Sequence, residues 1–259
     1  MESDRRLKAF EELLDIMDRL RESCPWDMKQ TNETLRKLTI EETYELADAI
    51  LENDDSGICK ELGDLMLHIV FYAKIGAEKK SFDIGDVLEG INHKLIYRHP
   101  HVFGTTEVNS ATEVEDNWEK LKLNESDKYK AVLSGVPRSL PALVKANRMQ
   151  EKVRGVGFDW DDRTQVWDKV SEEIRELREE IDKGDKKKIE SEFGDVFFSL
   201  INAARLYGID PESALERTNR KFMARFNYLE KKTIEQGKSL RDMSLEEMDR
   251  IWDEAKGLE

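Results

Sequence analysis

An internal repeat constrains this chain more than any other sequence feature. The block EETYE at 41–45 returns as EEIRE at 172–176, and ELGD at 61–64 returns as EFGD at 192–195, each displaced by 131 residues. Two further blocks follow in the same order, with NHKLIYR at 92–98 returning as NRKFMAR at 219–225, and WEKLK at 118–122 as WDEAK at 252–256. Ordered self-similarity at nearly one offset indicates that one structural unit occurs twice.

The spacing of apolar residues predicts the class of fold. Apolar positions recur every three or four residues through most of the chain, which is typical of amphipathic helices. Strand-like alternation is confined to a weak candidate at 102–108. We therefore predict an all-α fold, a tandem duplication of one helical unit. Residues 1–125 would form the N-terminal domain, 126–141 a linker that contains Gly and Pro, and 142–259 the C-terminal domain.

The charge and composition of the chain limit its partners. The formal net charge is −14 at pH 7, whereas a protein that grips a nucleic-acid backbone needs a basic face, so no direct nucleic-acid binding is expected. No apolar run approaches the roughly 20 residues that span a bilayer, and the N-terminus is amphipathic rather than an apolar signal segment. Cys24 and Cys59 cannot build a disulfide framework. We expect a cytoplasmic protein without membrane association.

Acidic pairs in each copy are spaced to meet across a helical hairpin. Members of a pair lie three residues apart and so share one helix face. In the first copy both cross-pairs, 42/64 and 45/61, are centred on residue 53, and in the second copy both are centred on Gly184. The carboxylates that would converge are those of Glu42, Glu45, Glu61 and Asp64 in the first copy and of Glu173, Glu176, Glu192 and Asp195 in the second.

Such a convergence of carboxylates indicates a metal site. Four negative charges at one place repel each other unless a cation or a shared proton offsets them. Oxygen ligands without His or Cys suit Mg²⁺, with Mn²⁺ as a substitute, rather than Zn²⁺. Mg²⁺ commonly binds substrate phosphates together with protein carboxylates. The pattern predicts metal-assisted attack of water on a phosphate.

The motifs Glu-Glu-x-x-Glu and Glu-x-x-Asp on paired helices resemble those of the MazG group of all-α nucleoside triphosphate pyrophosphohydrolases. The resemblance covers essentially the whole chain, including the duplication, the Asn-x-Lys-x-x-x-Arg and Trp blocks, and RHPHVFG at 98–104. It implies Mg²⁺-dependent hydrolysis of ribo- or deoxyribonucleoside triphosphates to the monophosphate and pyrophosphate, by attack of water at the α-phosphate. It also implies a homodimer.

The resemblance further implies a role for individual residues. The catalytic and metal-binding carboxylates of the C-terminal copy would be Glu173, Glu176, Glu192 and Asp195, with Glu172 orienting or deprotonating the attacking water. The nucleotide would be bound by Lys169, Lys188, Asn219, Lys221, Arg225 and Trp252. In the N-terminal copy the metal ligands would be Glu42, Glu45, Glu61 and Asp64, and a second nucleotide site would use Asn92, Lys94, Arg98 and Trp118.

The two copies differ at two of these lysines. At the displacement of 131, Lys169 corresponds to Leu38 and Lys188 to Gly57. We therefore expect the C-terminal copy to be the better nucleotide site. The N-terminal copy would be weaker, differently selective or mainly structural.

Three other functions fit parts of the pattern. A pyrimidine-restricted hydrolase of dUTP or dCTP would use the same metal chemistry and stays open. A non-enzymatic helical protein that regulates a partner would need no convergent carboxylates. A helical di-iron protein would carry Glu-x-x-His pairs, and the acidic blocks contain no His.

Overall fold

The computed structural model describes residues 2–108, 110, 113, 114, 117, 121, 131–160 and 162–258. Over these residues the chain is helical and contains no strand, which confirms the predicted all-α class. The weak strand candidate at 102–108 was wrong, because Pro100 starts a short helix there and residues 104–108 pair with no strand. Contacts divide the chain into two compact units, Met1–Asn109 and Ser110–Glu259. The predicted linker, 126–141, stays a prediction, since residues 122–130 lie outside the described residues.

The first unit is built around a hairpin of two long helices, Asn32–Glu52 and Asp55–Glu78, with further helices before and after it. A 3₁₀ turn at Asp27–Lys29 follows the first helix. The α-helices are α1 (Glu2–Ser23), α2 (Asn32–Glu52), α3 (Asp55–Glu78), α4 (Ile84–Arg98) and α5 (Pro100–Phe103). Thr31 begins α2 with a capping box, in which its hydroxyl and that of Thr34 each accept a hydrogen bond from the other's backbone N–H.

The core of the first unit lies where α1 and α2 pack on the C-terminal half of α3. Its most buried members are Met17, Leu35, Val70, Phe71 and Ile75. Arg21 of α1 donates a hydrogen bond to Glu78 of α3 at 2.9 Å and lies over the ring of Phe71. These contacts involve the C-terminal half of α3. The N-terminal half of α3 carries the acidic motif and pairs with α2.

The second unit repeats the central hairpin and adds helices around it. Its α-helices are α6 (Ala142–Arg154), α7 (Val166–Lys183), α8 (Lys186–Leu206), α9 (Pro211–Glu235) and α10 (Leu245–Lys256), with 3₁₀ turns at Val132–Gly135 and Leu240–Asp242. Val166 and Val170 of α7 are buried against Ala203 of α8. A second cluster, formed by Leu229, Met243 and Ile251, joins α9 to α10.

In the described part of the chain, no helix combines the length and the apolar character that crossing a bilayer requires.

Candidate metal centre

Each acidic motif lies on a hairpin whose turn falls at the centre of the predicted symmetry. Asn53 ends α2 in the left-handed conformation, at φ 55°, and Asp54 caps α3 by accepting a hydrogen bond from the backbone N–H of Ser56. In the second unit Gly184 takes the same role at φ 76°, a conformation that glycine adopts without strain. Asp185 then caps α8 by accepting from the backbone N–H of Lys187. Both hairpins are therefore tight, and residues equidistant from the turn face each other.

Three of the four carboxylates predicted to converge in the C-terminal hairpin do so. Oxygen atoms of Glu173, Glu176 and Glu192 all lie within 4.8 Å of one another. Glu173 is buried and the other two are half-buried. Asp195, the fourth predicted ligand, is exposed and lies outside this closest group. Burial raises the pKa of Glu192, and the negative charge of Asp195 is the next largest cause, so Asp195 contributes to the field of the cluster.

Lys169 links this cluster to the predicted helper Glu172. Its ammonium group lies 2.7 Å from Glu173 Oε1 and 3.2 Å from Glu172 Oε2. The hydrogen bond to Glu173 is the main reason that the pKa of Lys169 is raised, so the lysine stays charged. A cation of this chain therefore already offsets part of the buried negative charge.

The N-terminal hairpin forms a second group of converging carboxylates, but with a different member buried. Oxygen atoms of Glu42, Glu45 and Glu61 lie within 4.8 Å of one another. Here Glu61 on α3 is buried, whereas in the C-terminal cluster the buried member, Glu173, is on the first helix of the hairpin. Burial and the neighbouring charges of Asp64, Glu45 and Glu61 raise the pKa of Glu42.

The donor set of both clusters fits a hard divalent cation. All of the converging ligand atoms are carboxylate oxygens, the ligands that Mg²⁺ and Mn²⁺ prefer. In the described part of the chain Glu61 Oε2 is buried without a hydrogen-bond partner. A buried carboxylate oxygen without a partner is costly, and a bound cation would remove that cost.

Two residues of these sites were missed at the level of sequence. Lys60 lies 2.7 Å from Glu61, 3.7 Å from Asp64 and 4.0 Å from Glu45. Its signal was the i,i+4 spacing to Asp64, which places a cation on the acidic face.

The second missed residue is Glu180, one turn beyond Glu176. Its side chain is only 13% exposed, and it lies 2.7 Å from Lys183 and 4.0 Å from Lys188. Its negative charge also contributes to the raised pKa of Glu192. The three-residue spacing of Glu180 and Lys183 is typical of a surface ion pair, and that pair is present. The structure adds that Glu180 is largely buried and connects the predicted nucleotide ligand Lys188 to the edge of the cluster.

A further group of predicted nucleotide-binding residues lies on α9 and α10. The guanidinium of Arg225 lies over the ring of Trp252 at 5.8 Å from its centroid, and this indole packs against Phe222 at 5.1 Å between centroids. Lys221 is exposed one turn before Arg225, and Asn219 donates a hydrogen bond to Glu216 at 3.4 Å. The structure thus brings Arg225 and Trp252 together, and their contact with a nucleotide stays a prediction.

The predicted second nucleotide site is described in part. Asn92 and Lys94 are exposed on α4, and Arg98 is half-buried at the end of that helix. Trp118 lies outside the described residues.

Comparison with known proteins identifies the family. The model of the MazG nucleotide pyrophosphohydrolase domain matches residues 30–103 and 163–229, one segment in each unit. A nucleoside triphosphate pyrophosphohydrolase/pyrophosphatase MazG of Thermotoga maritima is 44% identical over 96% of this chain and 96% of its own length. The nucleoside triphosphate pyrophosphohydrolase of Escherichia coli K12 is 40% identical over 96% of this chain and 98% of its own length. The two matched segments contain both acidic hairpins, so this chain belongs to the MazG family of nucleotide pyrophosphohydrolases.

Proposed function

We propose that this chain hydrolyses nucleoside triphosphates to the monophosphate and pyrophosphate, by attack of water at the α-phosphate, with Mg²⁺ as the cofactor and Mn²⁺ as its substitute. The observation that supports this best is the convergence of Glu173, Glu176 and Glu192 within 4.8 Å on one hairpin. Two relatives that match over nearly their whole length are nucleoside triphosphate pyrophosphohydrolases, which supports the same reaction. When bound, the cation supplies the positive charge that a triphosphate needs beside an acidic protein surface.

Each acidic residue of the C-terminal hairpin is assigned a role according to its position. Glu173, Glu176 and Glu192 hold the cation, and Asp195 completes the set from the next turn of α8. Glu172 is half-buried beside them, where it orients the attacking water or accepts its proton. Lys169 bridges Glu172 and Glu173, so it can exchange a carboxylate for a phosphate oxygen when substrate enters.

The remaining nucleotide contacts are assigned to residues near the hairpin turn and on α9 and α10. Lys188 is 63% exposed near the turn, a position from which an ammonium group can reach phosphate. Arg225 and Lys221 are one turn apart on α9 and suit phosphate oxygens, since Arg presents a planar fork of donors. Asn219 is assigned to sugar or phosphate, and Trp252 to stacking against the base. In the N-terminal unit, Asn92, Lys94, Arg98 and Trp118 would form the corresponding site.

The direct test is identification of products. The purified chain is mixed with Mg²⁺ and each common ribo- and deoxyribonucleoside triphosphate, and products are separated by ion-exchange chromatography. We expect monophosphate and pyrophosphate in equal amounts. Diphosphate with orthophosphate would contradict the proposed position of cleavage. Turnover confined to dUTP or dCTP would establish the pyrimidine-restricted alternative, and no turnover with Mg²⁺ or Mn²⁺ would favour a regulatory protein.

A matched pair of variants ties the activity to the cluster. Glu192→Gln keeps the size of the side chain but removes a converging charge, so kcat should fall at least about 100-fold. Glu179→Gln makes the same chemical change on the exposed face of α7 and should leave kcat within about twofold. Equal activity of both variants would refute the assignment.

We further propose that the chain is a cytoplasmic homodimer. Large aromatic side chains such as Phe197, 61% exposed, and Phe222, 58% exposed, remain uncovered in the second unit, and such exposed apolar surface is typical of an interface. Both cysteines are free thiols, as is usual in a reducing compartment. Light scattering after size-exclusion chromatography measures the mass, and a monomer at micromolar concentration would contradict the proposed dimer.

A further inference from the structure

The ammonium group of Lys60 lies among carboxylates from both helices of the N-terminal hairpin. On its own helix, α3, it lies 2.7 Å from Glu61 and 3.7 Å from Asp64. Across the hairpin it lies 4.0 Å from Glu45 on α2. Glu45 and Glu61 are both members of the converging group. The ammonium group of Lys60 therefore contacts two of the three converging carboxylates, those of Glu45 and Glu61.

Lys60 forms a hydrogen bond with only one of the two carboxylate oxygens of Glu61, the buried member of this group. The side chain of Glu61 is 8% exposed. Its Oε1 accepts a hydrogen bond from Lys60, while Oε2 has no hydrogen-bond partner in the described part of the chain. Glu61 thus retains one buried oxygen for a further ligand, and the hydrogen bond to Lys60 occupies the other.

The C-terminal hairpin differs from the N-terminal one at the position of this lysine. The position equivalent to Lys60 at the displacement of 131 is Ser191. Lys169 does contact the C-terminal cluster, but it pairs with Glu172 and Glu173, which lie on its own helix. The two clusters therefore have similar carboxylates and differently placed positive charges.

We propose that Lys60 is an internal cation that competes with a divalent metal ion for the N-terminal cluster and thereby weakens metal binding at that cluster. The inference rests on the proposed function, in which both clusters bind a divalent cation. A metal ion at Glu42, Glu45 and Glu61 displaces the ammonium group from its carboxylates, and any Lys60 charge that remains nearby repels the ion. Residue 60 thus sets the affinity of the N-terminal cluster for a divalent cation.

The test measures Mn²⁺ binding rather than activity. The full chain carries Glu192→Gln to weaken the C-terminal cluster, and free Mn²⁺ is followed by electron paramagnetic resonance during titration. Lys60→Ser, which introduces the residue of the other copy, should tighten binding about tenfold, because one nearby positive charge is removed. Lys60→Gln provides a second neutral variant with a longer side chain, and circular dichroism checks that each variant is folded.

Two controls separate the charge of Lys60 from general effects. Lys60→Arg retains the charge and should bind Mn²⁺ within about twofold of its parent. Lys79→Ser makes the same change in net charge at an exposed position 19 residues further on, about 28 Å along α3, and should also stay within twofold. Unchanged affinity in both neutral variants, or an equal gain in Lys60→Arg, would overturn the inference.

The same titration distinguishes this inference from the proposed function. In the chain with Glu192 intact, absence of Mn²⁺ binding at the C-terminal cluster would contradict the proposed metal assignment there. Tighter binding on Lys60→Ser, abolished by adding Glu42→Gln, would still support the role of Lys60 at the N-terminal cluster.

Discussion

The substitution Lys169→Met tests how the buried charge of Glu173 is compensated. Lys169 Nζ lies 2.7 Å from Glu173 Oε1, and the two side chains are 40% and 9% exposed. At this distance the Coulomb attraction is about 1.5 kcal/mol in bulk water and about 6 kcal/mol at an effective dielectric constant of 20. The exposure of the lysine and the entropy of its side chain favour the lower part of that range. We expect the metal-free variant to lose about 2 kcal/mol of unfolding free energy.

Added Mg²⁺ should close much of this difference. A ligand that binds only the folded state stabilises it by about 2.7 kcal/mol at 100 times its Kd. Without Lys169 the cation has no competitor at Glu173, so the variant should gain more from Mg²⁺ than the parent does. Thermal unfolding by circular dichroism, in EDTA and in saturating Mg²⁺, measures both effects. In EDTA we expect a decrease in Tm of about 4–8 °C for a unit of this size.

The control for this prediction is Lys238→Met. Lys238 pairs with Glu247 at 3.0 Å elsewhere in the second unit, so its loss should have no Mg²⁺-dependent component. If the difference in Tm between Lys169→Met and the parent were the same in EDTA and in Mg²⁺, Lys169 would not compete with the cation at Glu173.

Three further predictions follow from the burial and charge of single residues. Burial and neighbouring carboxylates raise the pKa of Glu192. At a pH above that raised pKa, the charge of Glu192 opposes folding. Metal-free Glu192→Gln should therefore melt no lower than the parent at pH 7. Burial raises the pKa of Asp159, but hydrogen bonds from Arg205 and from the backbone outweigh it and leave the pKa below the usual 3.8. Asp159→Asn should thus cost about 1.5–3 kcal/mol in urea unfolding at pH 7, and the cost should disappear as the pH falls below 3.8 through the lowered pKa. Phe71 is 2% exposed in the first core, so Phe71→Ala should cost about 3–5 kcal/mol by the same measurement, and a loss below 1 kcal/mol would contradict its place there.

The fold class and the pairing of the acidic motifs follow from the sequence alone. Four blocks repeated in the same order at nearly one displacement required two similar units, and helical periodicity required that they be helical. Because residues equidistant from a tight turn must face each other in an antiparallel hairpin, the midpoints at 53 and 184 were enough to predict that Glu45 meets Glu61 and that Glu176 meets Glu192. No packing detail was needed for this, since both relations depend only on local geometry.

Which carboxylate is buried, and which cation offsets its charge, depends on tertiary packing. Glu173 is buried on the first helix of its hairpin, whereas Glu61 is buried on the second helix of the other. Periodicity gives the face on which a side chain lies but not its depth, because depth depends on the residues that pack over the hairpin. Sequence spacing also does not predict which residue a long side chain contacts on a neighbouring helix, and Lys60 contacts Glu45 across the hairpin. Sequence spacing does not predict these contacts, and because of them the two similar acidic motifs have different surroundings.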